Sequence, residues 1–375
     1  MAKKTRTIIF LICSFLFIIG GPSVILYSQG YRLNINTKEG EKFITQTGGI
    51  FIKSSPKQAE IYIDGKITEK TDFLFGSALV ENLLPGKYEI EVKKENYQSW
   101  KKTLEVKEKE VAEAKSILLF PEEFNFSSLV KNVENIWPTP NQNIILKKAT
   151  TSGWILTVYE SEKETELLKE GDIYSKKVEL TNITFSATSS EIILETEIAK
   201  NKRYFSFNPK ETPLILTEIE NFDKSIEHTY SNYTFKKEGE LLYVKSPNSE
   251  SFEKIAEGIK GFKISQDNKK LLYFSEHEIS IFFLKDTIIP NKKEGEKMLL
   301  LRLSDGINDC AWIKSDHIVF STEDIVKITE IDNRDVLNII TVIETKNPEI
   351  FWNENEEKLY YLSENNLFVS DTLLP

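Results

Sequence analysis

The chain has 375 residues, 40% of them apolar, and a net charge of −10, enough for two or three folded domains and unlike a disordered tail. Acidic and basic residues are interspersed without a basic stripe, which excludes a dedicated nucleic-acid binder. Two cysteines, Cys13 and Cys310, exclude a disulfide framework, so stability must come from core burial.

Residues 7 to 27 carry no charge and come after Lys3, Lys4 and Arg6. A helix of that length reaches roughly 30 Å, the thickness of the bilayer hydrocarbon. Basic flanks stay cytoplasmic, so an uncleaved anchor places the N-terminus inside and everything after Gly30 outside. The alternative is a cleaved secretory signal, but Val24, Ile25, Leu26 and Tyr27 prolong the apolar run beyond the small residues Gly20, Gly21 and Ser23. Cys13 is preceded by Ile12 and reads as a helix residue rather than a lipid-modified one. The expected layout is residues 1–30 for the cytoplasmic tip and anchor, 31–47 for a polar linker containing Thr37-Lys-Glu-Gly-Glu-Lys42, 48–120 for a small β-domain and 121–375 for a repeat array.

In the first exported unit, Ile50, Ile52, Ala59, Ile61 and Ile63 alternate with polar residues, the period of half-buried strands. Asp64-Gly65 suits a tight hairpin turn. Leu84-Pro-Gly-Lys87 and Lys94-Glu-Asn-Tyr97 mark further turns, with Tyr88, Ile90 and Val92 alternating between them and Trp100, Leu104 and Val106 beyond. A small antiparallel β-sandwich is expected.

Ile52-Lys-Ser-Ser-Pro56, Ala59-Glu-Ile-Tyr-Ile-Asp-Gly65, Leu84-Pro-Gly-Lys-Tyr88 and Glu95-Asn-Tyr97 together resemble a PEGA domain over roughly seventy residues, with Pro56-Lys-Gln-Ala59 in place of the namesake tetrapeptide. The resemblance implies a surface-exposed module of prokaryotic envelope proteins and no catalytic residue. Tyr62, Tyr97 and Trp100 are its candidate glycan-contact aromatics, since such rings pair an apolar face with a polar edge.

Beyond residue 120 short apolar runs recur between turn clusters. Each repeat has an anchor residue closing its first strand, and the anchors fall at Trp137, Phe185, Tyr230, Ile264, Trp312 and Trp352. Their mean spacing of about 43 residues suits a four-stranded propeller blade. About six blades result. The last copy stops one strand short, and either Ser116-Ile-Leu-Leu-Phe120 or Phe124-Asn-Phe126 is expected to supply the missing outer strand. The repeat Ile264-Ser-Gln-Asp-Asn-Lys-Lys-Leu-Leu-Tyr-Phe274 resembles WD40-like, Tol-type periplasmic propellers, which implies a platform for protein or peptide partners.

No chemistry-bearing motif stands out. His228, His277 and His317 have no metal-ligand spacing, and nucleophile elbows and phosphate-binding loops are missing. No catalytic, metal or cofactor residue is nominated, and a non-enzyme is expected. Asp267-Asn268, Asp305-Gly306, Asp332-Asn333 and Asn353 read as turn residues. A lysine-rich composition with abundant Ile, Asn and Glu resembles proteins of AT-rich prokaryotes. The expected role is a single-pass, N-in binding or scaffold protein of the cell envelope, with an envelope protein, peptide or cell-wall glycan as partner. Two rivals stand beside it: an envelope carbohydrate hydrolase with two carboxylates near the channel mouth, and a sensor acting through a membrane partner helix at Gly20-Gly21.

Overall fold

The computed structural model describes residues 3–33, 43–160, 162–186, 191–220, 222 and 227–374. Of the expected linker 31–47, residues 34–42 lie outside the described residues, as do the side chains of Lys3 and Lys4 and the turn 187–190 of the second repeat. The rest of that linker is not plain coil, because Tyr31–Leu33 and Ile44–Gln46 pair as antiparallel strands. Two compact units divide the chain, one made chiefly of Met1–Glu123, the other of Phe124–Asn333 and Ile339–Leu374.

The first unit opens with the helix Lys3–Ser28. Its segment Arg6–Ser28 has a mean hydropathy of 2.5 and none of it is buried against protein, so Phe10, Phe17 and Ile18 are 69%, 79% and 68% exposed. Arg32 grips the end of this helix. Its Nη1 donates to the Tyr27 and Tyr31 carbonyls at 2.8 and 3.0 Å, its Nη2 to Asn82 Oδ1 at 2.7 Å, and its guanidinium stacks on the Tyr27 ring.

The sandwich beyond the helix has one sheet of four strands, ordered Lys66–Lys70, Glu60–Ile63, Gly86–Lys93 and Trp100–Val106. Its other sheet has three, ordered Ser77–Leu83, Gly48–Ser55 and Val111–Leu118. Asp64 and Gly65 both take positive φ, which sets the hairpin between Glu60–Ile63 and Lys66–Lys70. Ile50, Ile52, Ala59, Ile61 and Ile63 are all buried in the core between the sheets, as their alternation predicts. One pair departs from the antiparallel expectation: Gly48–Ser55 and Val111–Leu118 run parallel. That pairing needs a long crossover, and the intervening strands of both sheets provide it.

Between the two sheets the Asp72 carboxylate organises a tight loop. Its Oδ1 accepts from the Leu74 and Phe75 N–H groups at 2.8 and 2.6 Å, and its Oδ2 from the Ser77 N–H and hydroxyl at 2.8 and 2.7 Å. Gly76 comes next in this loop with a φ of +66°, and a Cβ there would come 2.5 Å from the Ser54 carbonyl oxygen, so glycine is required.

The second unit is a propeller of six four-stranded sheets. Five are consecutive antiparallel meanders whose first strands are Val133–Pro138, Val178–Phe185, Glu227–Tyr230, Ile259–Ile264 and Ile307–Ile313. The sixth begins with Glu349–Asn353 and takes its outer strand from Phe126–Lys131, which pairs antiparallel with Asn366–Ser370. Of the two closure segments expected from sequence, Phe124-Asn-Phe126 reaches this strand only at Phe126, its first residue, whereas residues 116–118 of the other lie in the sandwich strand Val111–Leu118.

The repeat anchors end the first strands and tie blades together. Trp312 is 3% exposed, and its indole N–H donates to the Lys263 carbonyl of the preceding blade at 3.0 Å. Trp137 reaches forward to Asn182 Oδ1 at 3.2 Å. Burying aromatic bodies while pairing their polar tips joins neighbouring sheets, none of which would be stable alone.

Candidate binding site in the propeller channel

The first strand of each sheet has one free edge, and these edges meet around the propeller axis. Ile136 and Pro138, Lys260, Asn308 and Asp309, and Asn347, Glu349 and Ile350 come from four blades and line one cavity of about 500 Å³. That volume lies in the range of small-molecule and peptide-anchoring sites.

Local backbone irregularity aims the side chains. The register of the first strand shifts between Ile259 and Gly261 in one blade and between Ile307 and Asp309 in the next. Lys260 and Asn308 are thus the extra residues of two equivalent β-bulges, and both line the cavity. Bulges commonly re-aim side chains at functional positions.

The charges are unevenly satisfied. Asp309 is held by Lys263, whose Nζ donates to both carboxylate oxygens at 2.9 and 3.1 Å, and it also accepts from the Cys310 N–H at 2.7 Å. Lys260 donates to the Ile307 carbonyl at 2.7 Å and pairs with Glu276. Glu349 has no ion pair among the described residues. Glu349 is exposed at the start of its strand, yet the protein around it and the Asp309 charge raise its carboxyl from its ordinary value, while the Ile136 N–H opposes the shift. Glu349 still opens onto the cavity, so it can meet a ligand.

The residues singled out in the sequence lie elsewhere. Trp100 is 3% exposed and packs in the sandwich core, which corrects its expected place on a glycan platform. Its strand alternates Trp100, Lys102, Leu104 and Val106 on the buried face. Tyr97 is half-buried against the same core. Tyr62 is half-buried as well, donating to Glu60 Oε2 at 2.9 Å with the Lys93 ammonium 4.9 Å from its ring centre. His228 stacks on Tyr230 and meets Phe262 edge-to-face in the channel-side strands, and burial pushes its imidazole down. His277 and His317 belong to other blades. Among the described residues no group of three or more His, Cys, Asp and Glu side chains gathers as a metal site.

Asp267 sits in a turn as its sequence context suggests, whereas Asn353 ends the strand Glu349–Asn353 and serves the turn beyond it through its side chain. Asp267 Oδ1 accepts from the Ser265 hydroxyl at 2.6 Å and the Lys269 N–H at 3.1 Å, and Asn353 Oδ1 from the Asn355 and Glu356 N–H groups at 3.0 and 3.1 Å.

Two sheets, a parallel pair, an Asp64-Gly65 hairpin and the turns around Gly86 and Tyr97 complete the sandwich. Residues 47–118 match the PEGA domain. No protein with a curated description matches the chain. Similar solved structures include a β-propeller domain from Myceliophteria thermophila, 10% identical, with a TM-score of 0.42 over 66% of this chain and 99% of that one. A gluconolactonase from Xanthomonas campestris is 10% identical, with a TM-score of 0.41 over 67% and 90%. The PQQ domain of a Coprinopsis cinerea pyranose dehydrogenase is 8% identical, with a TM-score of 0.41 over 67% and 96%. At these identities and TM-scores the likeness carries no activity across. The PEGA domain and the propeller together support a surface or scaffold role in general terms.

Proposed function

We propose that the chain is a single-pass, N-in membrane protein that presents its PEGA domain and its propeller outside the cytoplasmic membrane of a prokaryote. In this reading it works as a non-catalytic binding or scaffold protein of the envelope. The propeller is the platform for a protein or peptide, and the PEGA domain the module toward the surface or wall. The observation that carries the proposal is the helix Arg6–Ser28: its apolar side chains find no protein to bury them, and water is a poor solvent for so large an apolar surface. Protease protection in spheroplasts tests it, together with the mass of the mature chain. Digestion of the propeller in intact spheroplasts, with the helix retained in the mature mass, is expected. Protection until lysis, or loss of residues 1–30, would count against it.

A second reading, an envelope carbohydrate hydrolase, draws support from Glu349 and Asp309 lining one cavity, because glycoside hydrolysis needs two carboxyl groups with different protonation. Release of reducing ends from isolated wall, abolished by Glu349→Gln, is its test. The ion pair between Asp309 and Lys263 weighs against it, since that carboxylate is already engaged.

A further inference from the structure

The channel cavity has a specific charge deficit. Its two basic neighbours are committed to protein: Lys263 to Asp309, and Lys260 to Glu276 and the Ile307 carbonyl. Glu349 is the acidic group left without a cation among the described residues, at a wall shared with the amides Asn308 and Asn347 and the apolar side chains Ile136, Pro138 and Ile350. A carboxylate set in a recess beside apolar side chains gains most from a cation that brings its own hydrogen-bond donors. The apolar wall suits the methylene stem of such a group.

We propose that this cavity binds the basic side chain of a peptide, a primary ammonium or guanidinium, with Glu349 as its counter-ion and the Asn308 and Asn347 amides as further acceptors. A divalent metal fits less well. Calcium takes six to eight oxygens, both oxygens of Asp309 are engaged by Lys263, and the Lys260 side chain lines the same wall. An anionic ligand would have to approach Glu349 with both cations already neutralised. This site rests on the binding reading of the propeller and names what the platform takes.

The test uses the full-length protein in detergent micelles and blocked pentapeptides, four alanines around a central lysine or a central glutamate, measured by calorimetry at low salt. The lysine peptide is expected to bind at least ten-fold more tightly than the glutamate peptide, and to weaken at least ten-fold in Glu349→Gln. Binding is expected to fall with added salt. Melting of the variant within a degree or two of the parent chain shows that it folds. Equal affinities for the two peptides, an unaffected Glu349→Gln variant, or binding of neither peptide would overturn the proposal. Saturable binding of calcium ion alone that is lost in Glu349→Gln would overturn it too, by making the site a metal's. Envelope topology is scored separately by protease protection, so selective lysine-peptide binding in a cytoplasmic protein would remove the envelope reading and leave this site standing.

Discussion

Val130 lies directly opposite Leu367, so a strand preceding the first blade packs against the third strand of the last. Both belong to one apolar cluster with Val133, Leu146, Phe351 and Leu362, and Leu367 is fully buried. Leu367→Ala removes buried contacts from the seam that closes the ring. It should cost about 2–5 kcal/mol in chemical denaturation, whereas Leu299→Ala, at a residue 49% exposed, should stay within about 0.5 kcal/mol. Equal effects would mean that the closing seam contributes no more than the surface.

Asp72 holds the loop that displays Phe73, Leu74 and Phe75, which are 67%, 57% and 71% exposed. The Phe75 N–H, with the Ser77 hydroxyl and N–H, keeps its carboxyl well below the ordinary carboxylate range. A depressed carboxyl stabilises the fold above its unfolded value and loses that contribution as pH falls through the folded value. Asp72→Ala should therefore lower the melting temperature by several degrees at pH 7, with a smaller difference at pH 2. A pH-independent difference would show that the carboxylate charge is not what the loop uses.

Lys270 is 3% exposed and bridges Asp267, at 3.3 Å, to Asp316 of the next blade, at 3.2 Å. Burial works to raise the Asp267 carboxyl, but the Ser265 hydroxyl and the Lys270 charge outweigh it and hold the group below its ordinary value. The sign is again that of a depressed acid: the contribution is complete above about pH 4 and fades below it. Lys270→Met should destabilise by about 1.5–3 kcal/mol at neutral pH, read from urea midpoints, with the gap narrowing under acid. A constant gap from pH 7 to pH 3 would contradict the bridge.

Cys310 is fully buried, and burial, with Asp309 beside it, pushes its thiol well above the ordinary range. A thiol so placed reacts only when the structure opens. In a Cys13→Ser background, labelling of Cys310 by a thiol reagent should be undetectable under native conditions and should track unfolding in urea with the same midpoint as circular dichroism. Rapid native labelling would place Cys310 in a locally open segment.

Much of the architecture is legible in the sequence because repetition is. Trp137, Phe185, Tyr230, Ile264, Trp312 and Trp352 sit at or within one residue of the ends of their strands, since each must fill the same gap between blades. The alternation of Trp100 with Leu104 and Val106 points that ring inward, against the general surface character of aromatics. Lys102, 1% exposed on the same face, interrupts the apolar pattern and hides it. The channel is not legible for a different reason. In an acidic chain Asp309 and Glu349 look like any other carboxylates, and only the strand bulges and the curvature of the ring bring them to one wall. A usable signal does exist, because Asn182, Asp309 and Glu349 each stand three residues before their anchors Phe185, Trp312 and Trp352. Aligning the repeats on both sides of each anchor, rather than on the C-terminal side alone, brings out that shared position.

The pairing of Phe126–Lys131 with Asn366–Ser370 makes the propeller a test of its own length. A chain cut short of Ser370 leaves the early strand with bare amides and carbonyls along one side, an edge that proteases and sticky neighbours readily recognise. An unfinished ring thus carries an exposed mark, which pairing with Asn366–Ser370 conceals.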